Sequence, residues 1–99
     1  MILIVVLLEI KDKKFFEEFE KKAIDIMSHY DGKLVSAFEP SKTESTVNNF
    51  DEVHYLQFPD IDAFKNYRKD PKLSELAELR HKAILNTKII VSEIIKDYA

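Results

Sequence analysis

The chain has no cysteine and no tryptophan, and glycine occurs once in its 99 residues. Without thiols it can form neither a disulfide framework nor a zinc-thiolate site, and no cysteine nucleophile is available. The fold must therefore rest on packing and hydrogen bonds alone. The length predicts a single domain covering residues 1–99, near the small end of what folds independently. The lack of disulfides is consistent with a cytoplasmic location.

The chain also lacks a strong charge of one sign and a long apolar run. Fifteen basic and eighteen acidic residues give a formal charge of −3, and the two signs are interspersed. Because no basic face is indicated, nucleic acid is not expected as a partner. The most apolar segment, residues 2–10, is far shorter than the roughly 20 residues of a membrane helix, so no membrane association is expected.

The first third of the chain predicts a strand followed by a helix. Residues 2–10 are apolar at both parities, which is typical of a strand covered on both faces. A helix is expected from Asp12, whose carboxylate can cap it, to about Tyr30, because apolar residues recur at three- and four-residue spacing. Gly32 is predicted to end this helix in the left-handed conformation.

The rest of the chain predicts two helices and three strands. Asp60 is expected to cap a short helix, and Asp70 followed by Pro71 to stop that helix and start another. The strands are predicted at residues 33–39, 51–58 and 87–95.

The predicted order is therefore β-α-β-β-α-β, an α+β ferredoxin-like fold with a four-stranded antiparallel sheet and two helices on one face. Nothing in one chain covers the other face of such a sheet. The first and last strands, however, are apolar on both sides. Since soluble monomers seldom leave so large an apolar patch exposed, a homodimer formed through the open sheet face is expected.

Several short segments are similar to those of a known family. The chain carries Phe58-Pro59, Asp70-Pro71 and Leu79-Arg80 at the spacing at which the family has Phe-Pro, Ser-Pro and Leu-Arg, and the segment at residues 30–35 matches its Tyr-Gly-Gly-Arg region. On these residues the chain resembles the dimeric α/β barrel superfamily, most closely the domain of unknown function 1330 family, and more distantly the antibiotic-biosynthesis-monooxygenase-like proteins.

The resemblance implies a dimeric α/β barrel and does not select one activity. The superfamily includes cofactor-independent monooxygenases, haem-degrading enzymes, chlorite dismutases and muconolactone isomerases, so the fold alone does not carry the chemistry. The chain departs from the family at Gln57, where the family usually has Glu, and at Tyr67-Arg68, which replaces Trp-Tyr. Any function particular to this protein is expected at these positions.

Polar residues near the predicted sheet and helices are the candidates for a site. The candidates are His54 and His81 as catalytic proton acceptors, and Tyr55, Gln57, Tyr67 and Arg80 as ligand-binding groups. A base, a phenol and an amide around an apolar pocket would bind or deprotonate a small phenolic or enolisable molecule. The alternative is that the histidine on the strand and the tyrosines are structural, and that the arginine pairs with a carboxylate or reaches solvent.

No cofactor or metal is predicted. The three histidines are far apart, and none forms a pair at a spacing of three or four residues on a helix. Three interpretations remain open: a protein binding a small apolar or aromatic molecule between sheet and helices, a cofactor-independent monooxygenase or isomerase of such molecules, and an interaction module with a filled interior. The second requires His54 or His81 to reach a cavity.

Overall fold

A computed structural model describes residues 1–99 and contains one antiparallel sheet with the strand order β2-β3-β1-β4. The strands are β1 (Ile2–Ile10), β2 (Lys33–Phe38), β3 (Glu52–Phe58) and β4 (Ile84–Val91). The helices are α1 (Lys13–Ser28), α2 (Ile61–Arg68), α3 (Pro71–Ser74) and α4 (Ala77–Ala83). All helices pack on one face of the sheet. The predicted ferredoxin-like β-α-β-β-α-β fold of the α+β class is confirmed. The helical region between β3 and β4, where two helices were predicted, contains three, α2, α3 and α4.

The helix starts follow the predicted capping chemistry. Asp12 and Asp60 each accept a hydrogen bond from the amide three residues on, at 3.0 and 2.8 Å. Asp70 accepts one from the amide two residues on at 2.7 Å, and Pro71 occupies the first turn of α3. The Tyr30 hydroxyl also donates to Asp70 at 2.5 Å, and this bond lowers the pKa of the carboxyl from its usual value. These caps fix where α1, α2 and α3 begin.

The prediction that Gly32 takes the left-handed conformation is wrong, because Asp31 does so instead, with φ of 58°. Gly32 is needed for a different reason. A Cβ at this position would lie 2.5 Å from Cε1 of Phe58 and 2.6 Å from Cγ of Met27. The backbone that follows α1 therefore passes directly against two core side chains, and α1 ends at Ser28 instead of near Tyr30.

The last strand begins earlier than predicted, at Ile84 instead of residue 87. Ile84 pairs with Ile10 on β1 and is buried. Apolar residues continue at helical spacing through Ala83 and Ile84, so local pattern does not mark the boundary. Pairing with β1 determines it. The strand also ends at Val91, before the predicted residue 95.

The core lies between the helices and the sheet in two clusters joined along α1. The first contains Leu8, Phe16, Phe19, Ala23, Ala83 and Ile84. The second contains Ile4, Met27, Phe58 and Phe64. Only 15 of the 99 residues are buried, so the core of one chain is small.

The face of the sheet away from the helices, here called the open face, carries apolar side chains from three neighbouring strands. Val5 pairs with Tyr55 on one side and Ile90 on the other. The side chains of Leu3, Tyr55 and Ile90 are 40%, 44% and 60% exposed. The molecule is a slab of 42 × 38 × 16 Å, and one broad side of it is this sheet. None of the helices combines the length and the hydrophobicity that spanning a membrane requires.

Candidate functional site

A cavity of about 420 Å³ lies between the helices and the sheet. This volume is within the roughly 300–1,000 Å³ typical of small-molecule sites and well above the roughly 150 Å³ that accommodates benzene in an engineered protein cavity. Twelve of its 17 lining residues are hydrophobic. The aliphatic and Phe lining comprises Val6, Leu8, Phe19, Ala23, Ile24, Met27, Leu56, Phe64, Leu73, Ile84 and Ile89. The remaining lining is Glu20, His54, Tyr67, Arg68, Arg80 and Thr87.

His54 is held on the cavity wall by its position on β3, opposite Val6 of β1. It is the only buried ionisable side chain, at 4% exposed. Its Nε2 lies 2.8 Å from Oε1 of Glu52, and its Nδ1 lies 3.5 Å from Oε2 of Glu20. A carboxylate only accepts hydrogen bonds, so Nε2 carries the hydrogen that Glu52 receives. In the neutral imidazole, Nδ1 is then the proton acceptor.

Glu20 is a residue of this site that the sequence analysis did not single out. It lies on the inner side of α1, four residues after Phe16 and three before Ala23, both of which are buried. Burial raises the pKa of Glu20; the charge of Glu52 adds to this effect, whereas His54 opposes it. In a sequence, such a residue is indicated by an acidic residue at the three- and four-residue spacing of the apolar residues that face the core.

Tyr67 on α2 presents a phenol to the same cavity. Burial, with a further contribution from Glu20, raises the pKa of Tyr67 to about 12, although Arg80 acts in the opposite direction. The ring packs 5.6 Å from the ring of Phe58, between centroids. The hydroxyl therefore stays protonated at neutral pH and can donate a hydrogen bond to a ligand.

Both arginines of the chain reach this cavity. Arg80, on α4, donates from Nη2 to Oγ1 of Thr87 on β4 at 3.1 Å. Arg68, the last residue of α2, places its guanidinium 5.4 Å from the ring centroid of Phe64. The cavity thus has a cationic region in addition to the imidazole and the carboxyl group.

The structure brings together half of the candidate residues. Three line the cavity, namely His54, Tyr67 and Arg80. The other three candidates, Tyr55, Gln57 and His81, do not line this cavity. Side chains alternate along a strand, so the residues one and three positions after His54 lie on the open face. His81 follows Arg80 by one residue on α4, a rotation of about 100° about the helix axis, and is exposed. No three His, Asp or Glu side chains are arranged to hold a metal ion.

Several solved structures share the fold. A protein of unknown function from Rhodopseudomonas palustris, RPA0582, has a TM-score of 0.82 at 16% identity, covering 97% of this chain and 83% of its own. A dabb family protein with a ferredoxin-like fold from Mesorhizobium loti has a TM-score of 0.69 at 16% identity, covering 96% and 97%. SnoaB from Streptomyces nogalater, a cofactor-independent oxygenase, has a TM-score of 0.67 at 13% identity, covering 98% and 95%. At these identities the likeness establishes the fold alone.

Comparison of the sequence with protein families gives a direct assignment. No curated protein matches at a significant level. A family described as a domain of unknown function, DUF1330, matches residues 2–94, which is almost the whole chain. The predicted resemblance is therefore confirmed, and the chain belongs to the DUF1330 family.

Proposed function

We propose that the protein binds a small apolar or aromatic molecule in the cavity between sheet and helices. The observation that carries this proposal is the cavity of about 420 Å³ with 12 hydrophobic residues among its 17 lining residues. Its polar groups are few and converge on one space, which is the usual composition of a small-molecule site. An interaction module with a filled interior is not supported, because such a module would leave no space of this size.

Binding is tested with 2-naphthamide, a neutral aromatic probe, by titration calorimetry. Leu73 lines the cavity, whereas Leu76 is partly buried beside the same core cluster and does not line it. Leu73→Phe is expected to weaken binding by about tenfold or more, because the larger ring occupies part of the space. Leu76→Phe is the matched control and is expected to bind as the wild type does. Absence of binding, or equal affinity in the Leu73→Phe variant, would contradict the proposal.

A second function on the same cavity is favoured by the hydrogen bond between His54 and Glu52. With Nε2 donating to that carboxylate, Nδ1 carries no hydrogen and can take a proton from an acidic hydroxyl of a bound ligand. The O–H bond of the ligand breaks, an N–H bond forms, and the resulting imidazolium lies between Glu52 and Glu20. Such a step would begin an oxygenase or isomerase reaction on a phenolic or enolisable substrate.

The proton transfer is tested with 2-naphthol, whose neutral and ionised forms differ in absorbance. Bound 2-naphthol is expected to ionise at a lower pH in the wild type than in His54→Gln, because glutamine cannot accept the proton. The matched control is His81→Gln, since His81 is exposed and outside the cavity. Identical ionisation in the wild type and His54→Gln would exclude His54 as the acceptor and leave binding as the function of the cavity.

We also propose that the protein is a homodimer in which two copies pack their open faces together. The open face is built by three neighbouring strands, β3, β1 and β4, and forms one broad side of the slab of 42 × 38 × 16 Å. Leu3, Tyr55 and Ile90 are at least 40% exposed on it. A second copy would cover these side chains and complete the small core of each chain.

A further inference from the structure

The distribution of the two kinds of basic residue in this chain is uneven. Of its 15 basic residues only Arg68 and Arg80 are arginine, and both line the cavity between sheet and helices. None of the lysines lines it. All thirteen lysines are exposed, as are the two arginines, so it is the position at the cavity that distinguishes the arginines. Arginine differs from lysine in presenting a planar fork of N–H donors that matches a carboxylate with two parallel hydrogen bonds.

Both guanidinium groups have N–H donors that make no hydrogen bond within the protein. Arg80 makes one side-chain hydrogen bond, to Thr87, and an arginine has five N–H donors. Arg68 is placed with its guanidinium over the face of Phe64, which leaves its edges free. Although the chain has 18 acidic residues, no carboxylate lies within 4.0 Å of either group. Glu20 lines the same cavity but forms an ion pair with neither guanidinium, so both cations lack a carboxylate partner from the protein.

We propose that the ligand of this cavity is a small planar carboxylic acid, bound as its carboxylate by Arg80 and Arg68 with its apolar ring against the hydrophobic lining. This inference rests on the proposed binding function and names the class of ligand. The orientation follows from the charges. Glu20 would repel a carboxylate, so the anionic group lies toward the arginines and the far edge of the ring lies toward His54.

The proposal is tested by comparing 2-naphthoate with 2-naphthamide, which have the same ring and nearly the same shape but differ by one charge. By titration calorimetry the wild type is expected to bind 2-naphthoate at least about tenfold more tightly, as charge-assisted bidentate hydrogen bonds predict. Arg80→Gln and Arg68→Gln are each expected to remove most of this preference, measured within each variant as the ratio of the dissociation constants of the two probes.

Two further variants separate specific recognition from general charge. Lys65→Gln removes one positive charge from α2 at an exposed position outside the cavity, so it is expected to keep the preference. Arg80→Lys retains the charge without the planar fork and is expected to lose most of the preference, and full retention would contradict bidentate binding. Equal wild-type affinity for the two probes would overturn the carboxylate proposal while the binding function stands. If neither 2-naphthoate nor 2-naphthamide bound, the binding function itself would be overturned.

Discussion

Replacing Gly32 with alanine is expected to lower the free energy of unfolding by about 3 kcal/mol or more, at the upper end of the cost of overpacking a core. The new Cβ would lie 2.5 Å from Cε1 of Phe58 and 2.6 Å from Cγ of Met27. Neither side chain can move into solvent, since Phe58 is 0% and Met27 2% exposed. The backbone after α1 would have to shift and disturb the start of β2. The measurement is urea unfolding followed by circular dichroism.

The neighbouring position supplies the control for this prediction. Asp31 has φ of 58°, a conformation that glycine adopts without strain. Asp31→Gly is therefore expected to leave stability unchanged or to raise it by up to about 1 kcal/mol. If Gly32→Ala proved as stable as the wild type, the close approach of Gly32 to Phe58 and Met27 would be wrong.

Placing a glutamate at Val5 is expected to dissociate the proposed homodimer. Val5 lies near the middle of the open face, between Tyr55 and Ile90. A two-fold axis would bring two such charges into one interface, and burying an unpaired charge costs several kcal/mol. We expect the dissociation constant to rise by about a thousandfold or more. Sedimentation velocity over a range of concentrations measures this change.

The control for Val5→Glu is Ser74→Glu, which adds the same charge at an exposed position in α3, on the helical side of the slab. It is expected to remain a dimer. A wild-type chain that sediments as a monomer at micromolar concentration would contradict the homodimer directly. Retention of the dimer in Val5→Glu would instead place the contact on another surface.

Much of the fold could be predicted because its determinants are local. The caps at Asp12, Asp60 and Asp70 depend on residues two or three positions away, and strand alternation depends on parity alone. The role of Gly32 could not be predicted, because it depends on Phe58, a contact between residues distant in the chain. The boundary at Ile84 depends on pairing with β1, which helical spacing does not reveal.

The candidate site was predicted only in part, because its members depend on the direction of each side chain as well as on residue type. His54, Tyr67 and Arg80 were identified by residue type and lie on the cavity. Tyr55 and Gln57 were included although the alternation along β3 places them opposite His54. Glu20 was missed because the charged residues of α1 were interpreted as a solvated surface. Its phase relative to the buried stripe, and not its charge, determines where it lies.

The alternation along β3 separates two surfaces by residue parity. His54, Leu56 and Phe58 face the helices, and the residues between them face away. The proposed ligand contacts and the proposed subunit contacts would therefore share a backbone but no side chain in this strand. If both proposals hold, substitutions at one parity would alter what the cavity accepts without altering how copies associate, so the two properties could change independently. A single-residue insertion within β3 would shift the alternation by one position, so the side chains beyond it would move from one surface to the other.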